Sequence, residues 1–219
     1  QLSQELLLRR GDFYFGLNQF QEAIYSYKNF LRRYPGSLMA PKAQYWIGLS
    51  YVNLNQTNEA SLEFEKIVKQ YPDSEVLSDA LFQLGIISRE ADQFDQALGF
   101  FNRIISGKNR RSQDPSFLSE VHYQIGLTYL KKGDEPRAKE AFQKSLTASE
   151  GSFSAYQARI EIAQIFARTR SIEEARAQLN RVIEDRNDEL AAQAQKVLGD
   201  VYFQAGNYQE ALTNYLRVK

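Results

Sequence analysis

Residues 34–74 read YPGSLMAPKAQYWIGLSYVNLNQTNEASLEFEKIVKQYPDS, and the spacing inside this stretch decides the fold. Apolar residues recur at three and four places rather than two, which predicts helices. Ala43, Ile47, Leu49 and Tyr51 fall on a first helix, and Ala60, Phe64, Ile67 and Val68 on a second. Asn55-Gln56-Thr57-Asn58 reads as the polar turn between them. Tyr71-Pro72-Asp73-Ser74 closes the pair, because proline cannot continue a helix and Ser74 can cap the next one by accepting a backbone N–H bond. Tyr34-Pro35-Gly36-Ser37 is the same device one step earlier.

Outward from this stretch the pattern recurs six times: a small residue, an aromatic three places on, an alanine nine further, and a bulky apolar residue four beyond that. The sets are Gly11/Tyr14/Ala23/Tyr27, Gly48/Tyr51/Ala60/Phe64, Gly85/Ser88/Ala97/Phe101, Gly126/Tyr129/Ala138/Phe142, Ala163/Phe166/Ala175/Leu179 and Gly199/Tyr202/Ala211/Tyr215. Self-similarity at such a period marks a solenoid, in which each unit buries its apolar face only against its neighbours. A helix-interior glycine costs ~1 kcal/mol relative to alanine, so five at one register imply a compensating close approach of helices.

These residues resemble the tetratricopeptide repeat, whose pattern is a tryptophan, leucine-glycine, a tyrosine, an alanine with a following aromatic, and a terminal proline. The resemblance spans essentially the whole chain and implies an all-α, right-handed superhelical solenoid of six helix-turn-helix repeats, at about 4–37, 38–74, 75–114, 115–151, 152–187 and 188–219. Residues 1–219 are expected to form one such array, as a piece of a longer protein. Gly11, Gly48 and Gly85 are spaced by 37 residues, against the family's ~34, which we read as a first helix lengthened at its start. The Tyr-Pro-x-Ser stretches and the residues up to Gly48 and Gly85 are also similar to the repeat domains of Tol-Pal periplasmic coordinators and of outer-membrane β-barrel assembly lipoproteins. That likeness implies a bacterial envelope scaffold, periplasmic or outer-membrane-associated, with the cytoplasm as the alternative.

Composition bounds the chemistry. Twenty-seven basic and 27 acidic residues cancel, so no net field draws nucleic acid or an anionic membrane. There is no cysteine, which excludes disulfides and thiolate chemistry but fits either compartment. No apolar run reaches the ~18 residues of a membrane span. The chain opens on Gln1, and its last repeat stops at Lys219 with Tyr215, Leu216 and Val218 on an uncapped apolar helix, so self-association through that repeat is a rival expectation.

In the architecture that the resemblance implies, first helices line the concave surface. The residues three before, one after and four after the small position share one face there. The expected partner-binding groove is Leu8, Phe15, Tyr45, Leu49, Val52, Phe82, Ile86, Arg89, Tyr123, Leu127 and Leu130, gripping an extended or helical protein segment. Asp12, Ile160, Gln164, Ala167, Lys196, Asp200 and Phe203 occupy the same offsets elsewhere. The competing reading is that these side chains are core between adjacent hairpins. Repeats that hold acidic chaperone tails carry a lysine and an asparagine where this chain has Leu8/Asp12, Tyr45/Leu49 and Phe82/Ile86, which cannot clamp a carboxylate.

The basic stretch Gly107 to Pro115 reads first as a solvated connection and second as an acidic-partner site, with Asp114 or Ser116 capping the next helix. His122 is the only histidine and builds no metal site alone. No phosphate loop or nucleophile elbow is present, so the expectation is a non-catalytic scaffold without cofactors.

Overall fold

In a computed structural model, the structure describes residues 2–218; Gln1 and Lys219 lie outside the described residues. Among the described residues, twelve α-helices form six hairpins: α1 (Leu2–Gly16) with α2 (Phe20–Arg33), α3 (Ala40–Asn53) with α4 (Thr57–Gln70), and α5 (Leu77–Glu90) with α6 (Phe94–Ile105). The remaining three are α7 (Pro115–Lys131) with α8 (Glu135–Ala148), α9 (Phe153–Arg168) with α10 (Ile172–Asp185), and α11 (Glu189–Gln204) with α12 (Tyr208–Leu216). There is no strand among the described residues. The chain packs as two compact units, Gln1–Gln113 and Asp114–Lys219, of three hairpins each.

The two helices of a hairpin are unequal. From α3 on, first helices bury residues nearly all round, as Ala43, Gln44, Ile47, Gly48 and Ser50 show in α3, whereas second helices bury one stripe, such as Ala60, Glu63, Phe64 and Ile67 in α4. Such a first helix is sandwiched, and a second helix faces solvent on its far side; among the described residues of α1 the buried ones are Leu8 and Gly11.

The small position acts against the residue sixteen places later. A Cβ added to Gly11, Gly48, Gly85, Gly126 or Gly199 would lie closer than 3.0 Å to the ring of Tyr27, Phe64, Phe101, Phe142 or Tyr215 respectively. The glycine is thus where a ring of the second helix lies flat on the backbone of the first. The alanines at the third place of each set, Ala23, Ala60, Ala97, Ala138, Ala175 and Ala211, are all buried.

Each hairpin turn is built one way. Seven residues after the small position the backbone takes positive φ, at Asn18, Asn55, Asp92, Gly133, Arg170 and Gly206. The next N–H then donates back to the carbonyl of Tyr14, Tyr51, Ser88, Tyr129, Phe166 or Tyr202 at 2.8–2.9 Å. This is a six-to-one C-terminal helix cap. Because the carbonyl accepts, Ser88 serves where the other repeats have a ring. The turn is tighter than expected: Thr57 and Asn58 already belong to α4.

Two further expectations are corrected. The extra length of the early repeats lies in the connections, not at the helix starts: α3 and α5 begin only eight residues before Gly48 and Gly85, after the loops that follow Tyr34 and Tyr71. Pro35 and Pro72 stop the chain there. Helices α7, α9 and α11 begin ten or eleven residues before their small positions instead. Ser74 does not cap α5; its Oγ is buried without a partner, while its backbone bonds to Tyr71 and Leu77. Asp114 does cap α7, accepting from Ser116 N at 2.9 Å and Phe117 N at 3.4 Å.

Candidate binding surfaces on the first helices

Within the first unit, the residue three before the small position turns inward. Leu8 (6% exposed) joins Ala23, Tyr27 and Phe30 in the core, and Phe82 (7%) meets Phe101 edge-on at 6.0 Å. Tyr45 stays half-buried, tilted against the Phe64 ring at 5.6 Å. Its phenol is pushed up to about 12, first by burial and then by the nearby Asp79 carboxylate, and Gln83 hydrogen-bonds it.

Positions one and four after the small residue are more open. Leu49 and Val52 lie half-buried over the Ala60, Phe64 and Leu84 core, and Ile86 is half-buried too. Phe15 packs edge-on to Phe20 at 5.3 Å and to Trp46 at 4.8 Å. Asp12 is held by the hydroxyl of Tyr27, which donates to its Oδ1 at 2.7 Å; burial and this carboxylate drive the Tyr27 pKa upward. Arg89 (8% exposed) is buried and pairs with Glu90 at 2.9 Å.

The second unit repeats the logic. Tyr123 (9% exposed) packs on Phe142 at 5.7 Å, while Leu127 and Leu130 are half-buried beside the same cluster. Ile160 is core; Gln164 and Ala167 are half-buried; Lys196 and Phe203 are exposed. Asp200 accepts the Tyr215 hydroxyl at 2.8 Å, a bond that raises the Tyr215 pKa.

The groove read from sequence is therefore split. Leu8, Phe82 and Tyr123 are corrected to the hairpin interior, because a residue one turn before the small position points at the ring packed on it; Arg89, four places after Gly85, is corrected too, being buried and paired with Glu90. Phe15, Tyr45, Leu49, Val52, Ile86, Leu127 and Leu130 retain surface.

The connection after α6 is anchored rather than simply solvated. A 3₁₀ turn, Arg111–Gln113, places Arg111 Nε 3.0 Å from Asp79 Oδ1. Asn109 Oδ1 accepts from Ser78 Oγ at 3.0 Å and from Ser112 N at 2.8 Å. His122 is half-buried, and burial, then the Lys144 charge, lowers its pKa. No cluster of three potential ligands that could hold a metal occurs among the described residues. Among the same residues, no helix is long and apolar enough to cross a membrane.

Two features were not read from the sequence. Polar pairs join the helices of three hairpins at one register: Gln44 donates to Glu63, Arg159 Nη1 to Gln178 Oε1 at 3.0 Å, and Gln195 to Asn214. Their common separation of 19 residues was the available signal. The other is a cleft of about 380 Å³ between α9 and α11, lined by Gln164, Ala167, Gln193, Lys196 and Gln204 among others. It adjoins a second cleft of about 550 Å³ that reaches Phe203 and Tyr208.

Tetratricopeptide-repeat models match residues 5–37, 42–74 and 79–106, and, through a second such model, 123–189 and 161–218. No curated protein matches the sequence. Among solved structures, a tetratricopeptide repeat protein from Parabacteroides merdae is similar at 18% identity and TM-score 0.74, over 100% of this chain and 79% of that one. Pseudomonas aeruginosa PilF is similar at 17% identity and TM-score 0.75, over 99% and 90% of the two chains. PilW, a widely conserved type IV pilus biogenesis factor, is similar at 15% identity and TM-score 0.72, over 98% and 91%. At these identities the likeness is one of fold.

Proposed function

We propose that this chain, which belongs to the tetratricopeptide-repeat family, is a non-catalytic scaffold that binds segments of partner proteins on its first-helix faces. The observation that carries the reading is the set of half-exposed apolar side chains at equivalent offsets: Phe15, Leu49, Val52 and Ile86 in the first unit, Leu127 and Leu130 in the second. Aligned apolar surface that stacking does not consume is the usual mark of a protein-binding face. The glycine-on-ring packing fixes the backbone beneath it, so little ordering entropy is lost on binding. Zero net charge leaves shape and local chemistry to select the partner.

The bacterial envelope is the proposed setting, periplasmic or outer-membrane-associated. Its support is the Tyr-Pro-x-Ser likeness to Tol-Pal coordinator repeats, with a fold shared by PilF and PilW. Site-specific photo-crosslinking tests both points. A photoreactive residue at Val52 or Ile86 should capture a protein from the envelope fraction, and one at exposed Glu59 should not. Equal capture at all three, or a chain found only in the cytosolic fraction, would contradict the respective part.

A second reading is self-assembly through the last hairpin, where α12 exposes Tyr208, Leu212 and Leu216. Light scattering that rises with concentration, and stops rising in Leu212→Glu, would favour it.

A further inference from the structure

Leu6, Phe13 and Leu17 of hairpin 1 are 60%, 64% and 52% exposed, and Arg10 among them is exposed too. They stand at the register where the other first helices of the same unit are covered. In α3, Ala43 and Ile47, five places and one place before Gly48, are fully buried in one cluster with Tyr27 and Phe30 of hairpin 1. In α5, Ala80 and Leu84 are buried likewise with Phe64 and Ile67. At the same two places α1 carries Leu6 and Arg10. Leu6 fills the room that Ala43 leaves for Phe30, and Arg10 puts a charge where Ile47 packs. This face of α1 is open apolar surface, yet it is not shaped for another second helix of the array.

Its residues follow a different spacing. Leu6, Arg10, Phe13 and Leu17 are four, three and four places apart, the heptad seam along which two helices pair. Leu17 continues the helix, its N–H donating to the Phe13 carbonyl at 3.1 Å. In an antiparallel pair of identical helices, one register uses the whole seam: Leu6 of each copy meets Leu17 of the other, and Arg10 meets Phe13. Sliding by one heptad in either direction leaves Leu6 or Leu17 with nothing opposite. Parallel pairing sets Arg10 on Arg10.

Glu5 and Arg9 pair with each other at 2.7 Å, so Arg10 is the charge left on the seam. Its guanidinium lies over the Tyr14 ring, 5.7 Å from the centroid, beside a hollow of about 230 Å³ that Glu22 and Tyr25 also line. Leaning that way, the arginine keeps its head in water and its stem in the contact, where the Phe13 ring of the other copy offers a second aromatic face. One charged residue in such a seam costs stability and fixes register and orientation.

We propose that the chain forms a two-fold dimer through α1, with the two helices antiparallel along Leu6, Arg10, Phe13 and Leu17. This goes beyond the scaffold reading, because it uses none of the side chains assigned there to partners, and it is separate from self-assembly through α12. One helix on one helix is a small contact, so the dissociation constant is on the order of 10–100 μM. The dimer carries two copies of each partner-binding face, which favours partners with repeated segments.

Because the chain has no cysteine, a cross-link tests the geometry directly. Leu6→Cys and Leu17→Cys, both at exposed sites, are incubated with oxidised glutathione, each alone and then mixed. The mixture should form a disulfide-linked dimer at least ~10-fold faster than either variant alone, since the two Leu6 positions of a dimer lie ~16 Å apart along the helix axis, beyond disulfide reach. Sedimentation equilibrium of the unaltered chain should show a dimer that Phe13→Glu abolishes, Leu212→Glu leaves intact and Arg10→Leu tightens by ~10-fold. Leu6→Cys linking to itself as fast as the mixture would mean parallel pairing and overturn the proposal. So would a chain still monomeric at ~1 mM, or association lost in Leu212→Glu and kept in Phe13→Glu. Photo-crosslinking at Val52 and Ile86 does not depend on this contact, so failure here with capture there leaves the scaffold reading standing.

Discussion

Hairpins 4 and 5 solve one packing problem with different residues. In hairpin 4 the first helix offers Gly126 and the second fills the space with the ring of Phe142. In hairpin 5 the first helix carries Ala163, and the residue sixteen places later is Leu179, smaller than a phenyl ring and fully buried. One methyl is gained on one helix and ring volume is given up on the other. The conserved quantity is the volume shared by the two positions, not the identity of either. The turns contrast as well: hairpin 4 meets its positive φ with Gly133 (+80°), hairpin 5 with Arg170 (+59°).

Truncating the filler should show the largest effect. Phe142→Ala is expected to lose ~3–5 kcal/mol and Leu179→Ala ~2–5 kcal/mol in denaturant unfolding, because each leaves a cavity that rigid neighbours cannot collapse. A loss below ~1 kcal/mol for Phe142→Ala would break the comparison by showing that the ring is not the filler.

The identity of the ring gives the next effect. Tyrosine fills the site in hairpins 1 and 6, where the small residue is followed by Asp12 or Asp200, and phenylalanine fills it in hairpins 2, 3 and 4, where Leu49, Ile86 or Leu127 follows. Hydroxyl and carboxylate thus occur together. Tyr27→Phe should lose ~1–3 kcal/mol, since it strands a part-buried carboxylate, while Asp12→Leu in the same background should restore part of the loss. Urea midpoints of the two single variants and the double variant measure this.

The turn gives the smallest effect, and with opposite signs. Arg170→Gly should raise stability by ~1 kcal/mol by removing the penalty of a left-handed L-residue, and Gly133→Ala should lower it by a similar ~1 kcal/mol. Equal shifts of one sign would show that these turns are not equivalent.

Much of this was legible because it repeats. A single pair of a small and a bulky apolar residue sixteen places apart means nothing, but six in phase announce two helices meeting at a fixed level, and the helix pairs, buried alanines and absence of strands among the described residues follow. The misreadings share a cause. Helical spacing places a side chain on a face but cannot say what stands opposite, so Leu8, Phe82 and Tyr123 read as groove residues although the ring of their own hairpin covers them. The helix starts were misplaced because length alone does not tell a longer helix from a longer connection, and Pro35 and Pro72 favour the connection. Asp12 and Asp200 looked like groove charges because a hydroxyl fifteen residues away is invisible until the hairpin closes.

The central claim is that each tile is held by a small residue and a filler of matched volume, and a double-mutant cycle in hairpin 4 tests it most directly. Gly126→Ala should cost ~1–3 kcal/mol by driving a methyl into the ring, and Phe142→Leu a comparable amount by underfilling the site. The double variant, which writes hairpin 5's solution into hairpin 4, should recover at least ~1 kcal/mol of the summed loss. Strictly additive losses would contradict the account, because the two positions would then not be sharing one space.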